Sequence, residues 1–173
     1  MKTEKLNFTG KLCSVVLFRN VQNPLEIREK LMKGQLDATV INATLIPDIL
    51  QIFVAANKAA KSRQKGKALT KTVHTELIYN LSPTKKVTES LKIFGIREEI
   101  HDLIVVTFDD DNGEKLQNIK NVIQGDMKDL AELQDITDWN AIAQLHGISE
   151  AKLDPEHIRD LLISKSAVKD FLL

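Results

Sequence analysis

Four histidines, one cysteine and a run of three aspartates are the residues with which this chain could do metal or acid–base chemistry. His74, His101, His146 and His157 show no paired spacing, and Cys13 is the lone thiol, so no zinc-ligand pattern forms. Asp109 to Gly113, DDDNG, begins like a calcium loop. Its glycine comes one place early and the terminal bidentate glutamate is missing, so calcium is rejected. His74 and Glu76 are too close in sequence to share one helical face, which makes them a poor acid–base pair. The chain contains no P-loop, dinucleotide fingerprint or nucleophile elbow. The expectation is a chain with no catalytic residue, no metal and no cofactor.

Cations carry the clearest ligand chemistry. Between Ile49 and Thr75 there is no acidic residue, and the same window holds Lys58, Lys61, Arg63, Lys65, Lys67 and Lys71. The whole chain balances 24 basic against 24 acidic side chains, so any affinity for nucleic acid must come from this local patch. Lysines near a helix C-terminus are favoured by its dipole without any ligand. Six cations with no counter-charge nonetheless make a positive field, and phosphate is its natural ligand. Asn57 joins the candidate RNA-binding set because it continues the apolar stripe of Ile46, Ile49, Leu50, Phe53 and Val54. A polar side chain there must either face a site or find a hydrogen-bond partner, and tying down a neighbouring loop is the preferred reading.

The elements that would position these cations are short and well punctuated. Leu12 to Phe18 and Leu103 to Phe108 are apolar on both faces, as strands inside a sheet are. Asn23, Pro24 and Glu26 predict a capped helix start, and Gly34 ends that helix. Ala38 to Ile41 reads as another strand. A helix follows from Pro47 to about Ser62. Val73 to Ile96 reads as two helices back to back, with Leu77, Ile78 and Leu81 on one face and Val87, Leu91 and Phe94 on the next. Pro83 stops the first, and Gly95 is expected as a left-handed cap of the second. Leu116, Ile119, Val122 and Ile123 mark a helix ending by Gly125. Trp139, Ile142 and Leu145 mark another, capped by Thr137 and ended by Gly147. A short strand is expected near Leu130 to Leu133.

The last helix starts at Asp154 and Pro155 and runs to the terminus. Ile158, Leu161, Leu162, Val168 and Leu172 form a broad apolar stripe, while Ile163, Ala167 and Phe171 form a second on nearly the opposite side. A surface helix needs one apolar face. The second, Ile163, Ala167 and Phe171 together with the terminal Leu172, is the candidate partner-binding patch, with aromatic Phe171 as its anchor.

A length of 173 residues suits one domain, and 43% apolar with 28% charged residues is ordinary for a globular protein. No run approaches signal-peptide or membrane-span length, and one cysteine suits a reducing compartment. The expected protein is intracellular and has no membrane partner.

QIFVAANKAA (Gln51 to Ala60), TELIYNLSP (Thr75 to Pro83) and VTESLKIFGI (Val87 to Ile96) resemble the TPRKB family, the small kinase-binding subunits of the KEOPS complex. VVLFRNVQN near the start and the VIN before the long helix are similar too. The resemblance covers roughly residues 15 to 108. It implies a single α/β (α+β) domain, a small mixed or antiparallel sheet packed with many helices, with an inserted helical bundle. It also implies a non-catalytic accessory subunit. Family members bind the atypical KEOPS kinase and contribute tRNA binding, notably of the single-stranded acceptor end. They support threonylcarbamoyl transfer to the adenosine beside the anticodon of tRNAs reading ANN codons. The implied location is cytoplasm and nucleus. The basic loop departs from the pattern: Leu69 stands where a cation is common, and lysine replaces arginine, losing the bidentate fork. The competing readings are a small stand-alone enzyme acting on a phosphorylated metabolite and a kinase regulator with no RNA role.

Overall fold

The computed structural model describes residues 1–149 and 154–169. Its centre is β2 (Leu12–Arg19), whose six inner residues are all buried. Strand β1 (Lys2–Lys5) pairs with its first half, and β4 (Leu103–Phe108) lies along its other edge. Strand β3 (Thr39–Asn42) completes the path beyond β4, and every pairing is antiparallel. The expected strand at 130–133 is not there: Leu130–Glu132 is a turn of 3-10 helix. The strand is β5 (Asp126–Lys128), which joins β2 at Leu17 to Arg19. It is three residues long and polar, so no alternation marks it.

Strict alternation gives the sheet two buried faces. Cys13, Val15 and Leu17 of β2, with Ile104, Val106 and Phe108 of β4, face one way. Against them pack α2 (Ile49–Gln64), α3 (Val73–Leu81) and α4 (Val87–Phe94). Val16, Phe18, Leu103 and Val105 face the other way, under α1 (Pro24–Met32) and α5 (Glu114–Val122). The helices α2, α3 and α4 all lie between β3 and β4 in sequence, which makes them the inserted bundle. Ala55, Ala56, Ala59 and Ala60 bury one flank of α2, and small side chains there let α3 come close. Asn80 of α3 donates to the Ala55 carbonyl at 3.3 Å.

Two caps differ from the sequence expectation. Asn23 makes no side-chain cap at α1; its amide donates to Glu26 and to the Val122 carbonyl at 2.8 Å, and its oxygen accepts from Gln124. It ties α1 to the end of α5, a partner a hundred residues away. Gly95 is not left-handed: its φ is −72° and its ψ 165°. Glycine is needed for another reason. A Cβ would lie 2.3 Å from the Leu91 carbonyl oxygen, and the extended backbone bridges to Ile41 of β3.

The chain then forms α6 (Leu133–Ile136), α7 (Trp139–His146) and α8 (Pro155–Val168). Asp138, not Thr137, caps α7 by accepting from Ala141 N; the Thr137 hydroxyl donates to Leu133 and Ile46 carbonyls. The inner stripe of α8 is Ile158, Leu162, Ser166 and Lys169. That corrects the broad apolar stripe, because Leu161 is only half-buried and Val168 is exposed. Polar contacts replace the missing apolar ones: Gln51 of α2 donates to the Ser166 hydroxyl at 3.2 Å.

Candidate nucleic-acid interface

The basic segment runs along the last turns of α2 and the loop to α3. Lys58 is half-buried and already has a partner within the protein. Lys61 lies over the ring of Phe8, 3.9 Å from its centroid. Arg63 turns back on the loop, donating to the Thr70 and Lys71 carbonyls at 3.3 and 2.9 Å. Lys65, Lys67 and Lys71 are exposed. Among the described residues none of Lys61, Arg63, Lys65, Lys67 or Lys71 forms an ion pair. Asn57 is half-buried, and its side-chain oxygen accepts from Phe8 N at 3.3 Å, so it grips the β1–β2 turn.

Sequence reading passed over the residue that shapes the loop. Glu76 is buried, and its carboxylate accepts from Thr70 N at 2.8 Å, the Thr70 hydroxyl at 2.7 Å and Leu69 N at 3.3 Å. It is the first acid after the acid-free run, which is the signal that marked it. A Thr72–Thr75 capping box fixes the start of α3 beside it.

Next to the segment is a cleft of about 310 Å³ between the β1–β2 turn, the end of α2 and the start of α3. A chain of polar contacts runs through its wall. The His74 ring meets Thr39 Oγ1 at 2.9 Å through Nδ1 and Asp37 at 2.8 Å through Nε2. Asp37 in turn pairs with Lys115 at 2.7 Å. The Lys115 contact, ahead of that from His74, holds the Asp37 carboxyl below its ordinary range. An ionised Asp37 accepts from Nε2–H, so Nδ1 accepts from the threonine hydroxyl. Hydroxyl, imidazole and carboxylate in this order are the parts of a nucleophilic triad. Here the Thr39 hydroxyl belongs to a residue 1% exposed in β3, out of reach of any substrate carbonyl. Lys115 also neutralises the carboxylate. The chain therefore reads as a tie between α3, β3 and α5. Its members are separated by 35 or more residues, so no spacing reveals it. Among the described residues no cluster of three His, Cys, Asp or Glu side chains could hold a metal. No helix among them is long and apolar enough to cross a membrane.

The proposed partner patch is only partly within view. Ile163 is half-buried and Ala167 exposed on α8, while Phe171 and Leu172 lie outside the described residues. Behind α8, burial and then the Lys165 charge push the His146 imidazole down to about 4. Its Nδ1 is buried with no hydrogen-bond partner in the structure. An unfolded histidine takes up its proton near pH 6.5, and this one does so when folded only near 4. Its contribution to stability is therefore whole above pH 6.5 and is lost as the pH falls towards 4. The loss should be about 3 kcal/mol, at about 1.4 kcal/mol per pKa unit. Thermal melts at pH 7.5 and 4.5 should show the fall, and His146→Gln should flatten it. Equal flatness in the wild-type chain would contradict the burial.

Comparison with known proteins came to one family. The model of the family described as kinase binding protein CGI-121 matches residues 18–170. The match reaches through α8, well beyond the 15–108 stretch of the sequence resemblance. A zebrafish (Danio rerio) relative named EKC/KEOPS complex subunit TPRKB is 31% identical over 161 residues, covering 90% of this chain and 89% of its own. A Schizosaccharomyces pombe relative named EKC/KEOPS complex subunit cgi121 is 25% identical, with 87% of each chain covered. One from Kluyveromyces lactis, named as the same subunit, is 30% identical over 64% of this chain and 69% of its own.

Proposed function

Because the chain belongs to the CGI-121, or TPRKB, family of kinase-binding proteins, we propose that it is a non-catalytic subunit of a KEOPS-type assembly. In this role it binds the atypical kinase of the assembly and contributes tRNA contact. That contact supports threonylcarbamoyl transfer to the adenosine beside the anticodon of ANN-reading tRNAs. The same reading puts the protein in the cytoplasm and nucleus. Support for a complex subunit comes from the relatives, whose names are those of KEOPS subunits. The observation that carries the RNA half is the braced basic loop. Lys65, Lys67 and Lys71 project from a segment that Glu76 and Arg63 hold in place, with no acid to neutralise them. Preorganised cations lose little entropy on meeting phosphate.

The test has two arms. Wild-type chain should bind tRNA with an affinity that falls steeply as salt rises, because each neutralised phosphate releases counterions. Changing Lys65, Lys67 and Lys71 together to Ala should reduce the slope of log affinity against log salt by about 2–3. Co-purification with the kinase should survive that change. Phe171→Glu should instead abolish co-purification and leave the isolated chain folded, since a charge is tolerated in water and not in a desolvated interface. An unchanged salt slope would leave a kinase regulator without an RNA role.

A further inference from the structure

We infer that Phe8 is a stacking platform for one unpaired base of a single-stranded RNA, at the mouth of the cleft between the β1–β2 turn and α2. The inference rests on the RNA-binding reading above and adds a residue and a mode of contact to it.

Phe8 is the tip of the turn between β1 and β2 and is 59% exposed. An apolar ring in water gains nothing from folding, so its position needs another account. The turn itself is firmly built. Leu6, buried, donates its N–H to the Lys11 carbonyl at 2.8 Å, and Gly10 N–H closes back on the Leu6 carbonyl at 2.8 Å. Gly10 has φ +72°, which favours glycine at this point of the turn. Helix α2 then grips the tip with two side chains one helical turn apart. Asn57 holds the Phe8 backbone, and Lys61 sits over the ring at 3.9 Å. The backbone is thus fixed while the ring stays in solvent with a cation against one face.

That arrangement suits a base. Stacking on an aromatic ring is open to any base that is not already stacked in a duplex. Lys61, on the ring, lies where a phosphate flanking the stacked base would pass. The adjoining cleft continues the same chemistry. Lys11, Arg63 and Lys115 line it against Asp37 and Asp109, one cation in excess. Its volume, about 310 Å³, has room for one nucleotide and not for a helix. The exposed cations Lys65 and Lys67 follow directly along the chain from this end of α2. A protein partner for Phe8 would find charge on every side, whereas a single strand finds a phosphate ligand at each step.

The experiment compares full-length chain binding to a four-nucleotide oligoadenylate and to a blunt RNA duplex. Phe8→Ala should weaken oligoadenylate binding roughly 5- to 150-fold, the range for loss of one stacked base. It should leave duplex binding, the salt slope and the melting temperature unchanged, because no phosphate contact or buried contact is lost. In a Trp139→Phe background, Phe8→Trp should keep the affinity, and its fluorescence should be quenched when oligoadenylate binds. Wild-type affinity of Phe8→Ala for oligoadenylate, equal weakening for duplex, or unquenched Phe8→Trp would overturn the platform. So would loss of kinase co-purification by Phe8→Ala with RNA binding intact, which would make the ring a protein contact. If the three-lysine variant flattens the salt slope while Phe8→Ala changes nothing, the platform alone fails. If the wild-type chain binds no RNA, the RNA reading fails and the platform with it.

Discussion

Lys169→Met is expected to lower the melting temperature of the isolated chain by on the order of 10 °C, a loss of roughly 3–5 kcal/mol. The last carbonyls of a helix have no partner inside it. At the end of α3 the Lys169 ammonium supplies one: it donates to the carbonyls of Tyr79, Ser82 at 2.7 Å and Thr84 at 2.9 Å. It also lies 3.6 Å from the centroid of the Tyr79 ring. Three donors on one head meet three acceptors, and the positive charge sits at the negative end of the α3 dipole. The residue is 5% exposed, so little water competes. Methionine keeps the stem's packing and removes only the head. Tyr79 keeps a weak bond from Ser82 N at 3.3 Å, but the other two carbonyls lose their ammonium donor. The end of α8 then holds on through Ile158, Leu162 and the Gln51–Ser166 contact. Half-buried Lys165, changed to Met, is the control and should move the melting temperature far less. A drop under about 2 °C for Lys169→Met would show that the ammonium does not pin the helix.

Glu76→Ala is expected to cost on the order of 2–4 kcal/mol and to weaken tRNA binding at once. The buried carboxylate serves two backbone N–H groups and the Thr70 hydroxyl. Charge-assisted bonds of this kind contribute about 1.5–3 kcal/mol each when alone, and less when shared in one network. The sign of the RNA effect is the useful part. Electrostatics alone predicts tighter binding, because the variant loses a negative charge beside a cationic loop. Loss of the brace predicts weaker binding, because the loop must then be ordered on each encounter. The second effect should win at physiological salt, where Coulomb attraction across solvent is screened beyond about 8 Å. Hydrogen exchange at residues 65–71 should rise in step. Tighter tRNA binding with unchanged exchange would show that Glu76 is only a counter-charge. Glu76→Gln keeps one acceptor oxygen and should fall between the two.

The sequence by itself determined the inner strands, the helical pair and the cationic segment. Each is a local pattern. LCSVVLF and LIVVTF are apolar on both faces, and only a strand covered by helices on both sides can bury them. Leu77, Ile78 and Leu81 share a helical face at three- and four-residue spacing, and all three are buried. The acid-free window needs no fold to be seen. Tertiary structure decided whatever depends on a partner distant in sequence. Asn23 looked like a cap from its neighbours, yet it bonds across to Val122 and Gln124. Gly95 looked like a left-handed terminus, yet the packing of α4 against β3 sets it extended. Strand β5 is polar and three residues long, and only the free edge of β2 makes it a strand. Phe8 meets Asn57 and Lys61 about fifty residues on, His74 meets Asp37, and Lys169 meets the end of α3 nearly ninety residues back. Periodicity reports which face of an element is apolar. It carries no term for a hydrogen bond or a charge whose other half lies elsewhere in the chain, and those contacts are the ones that build the site.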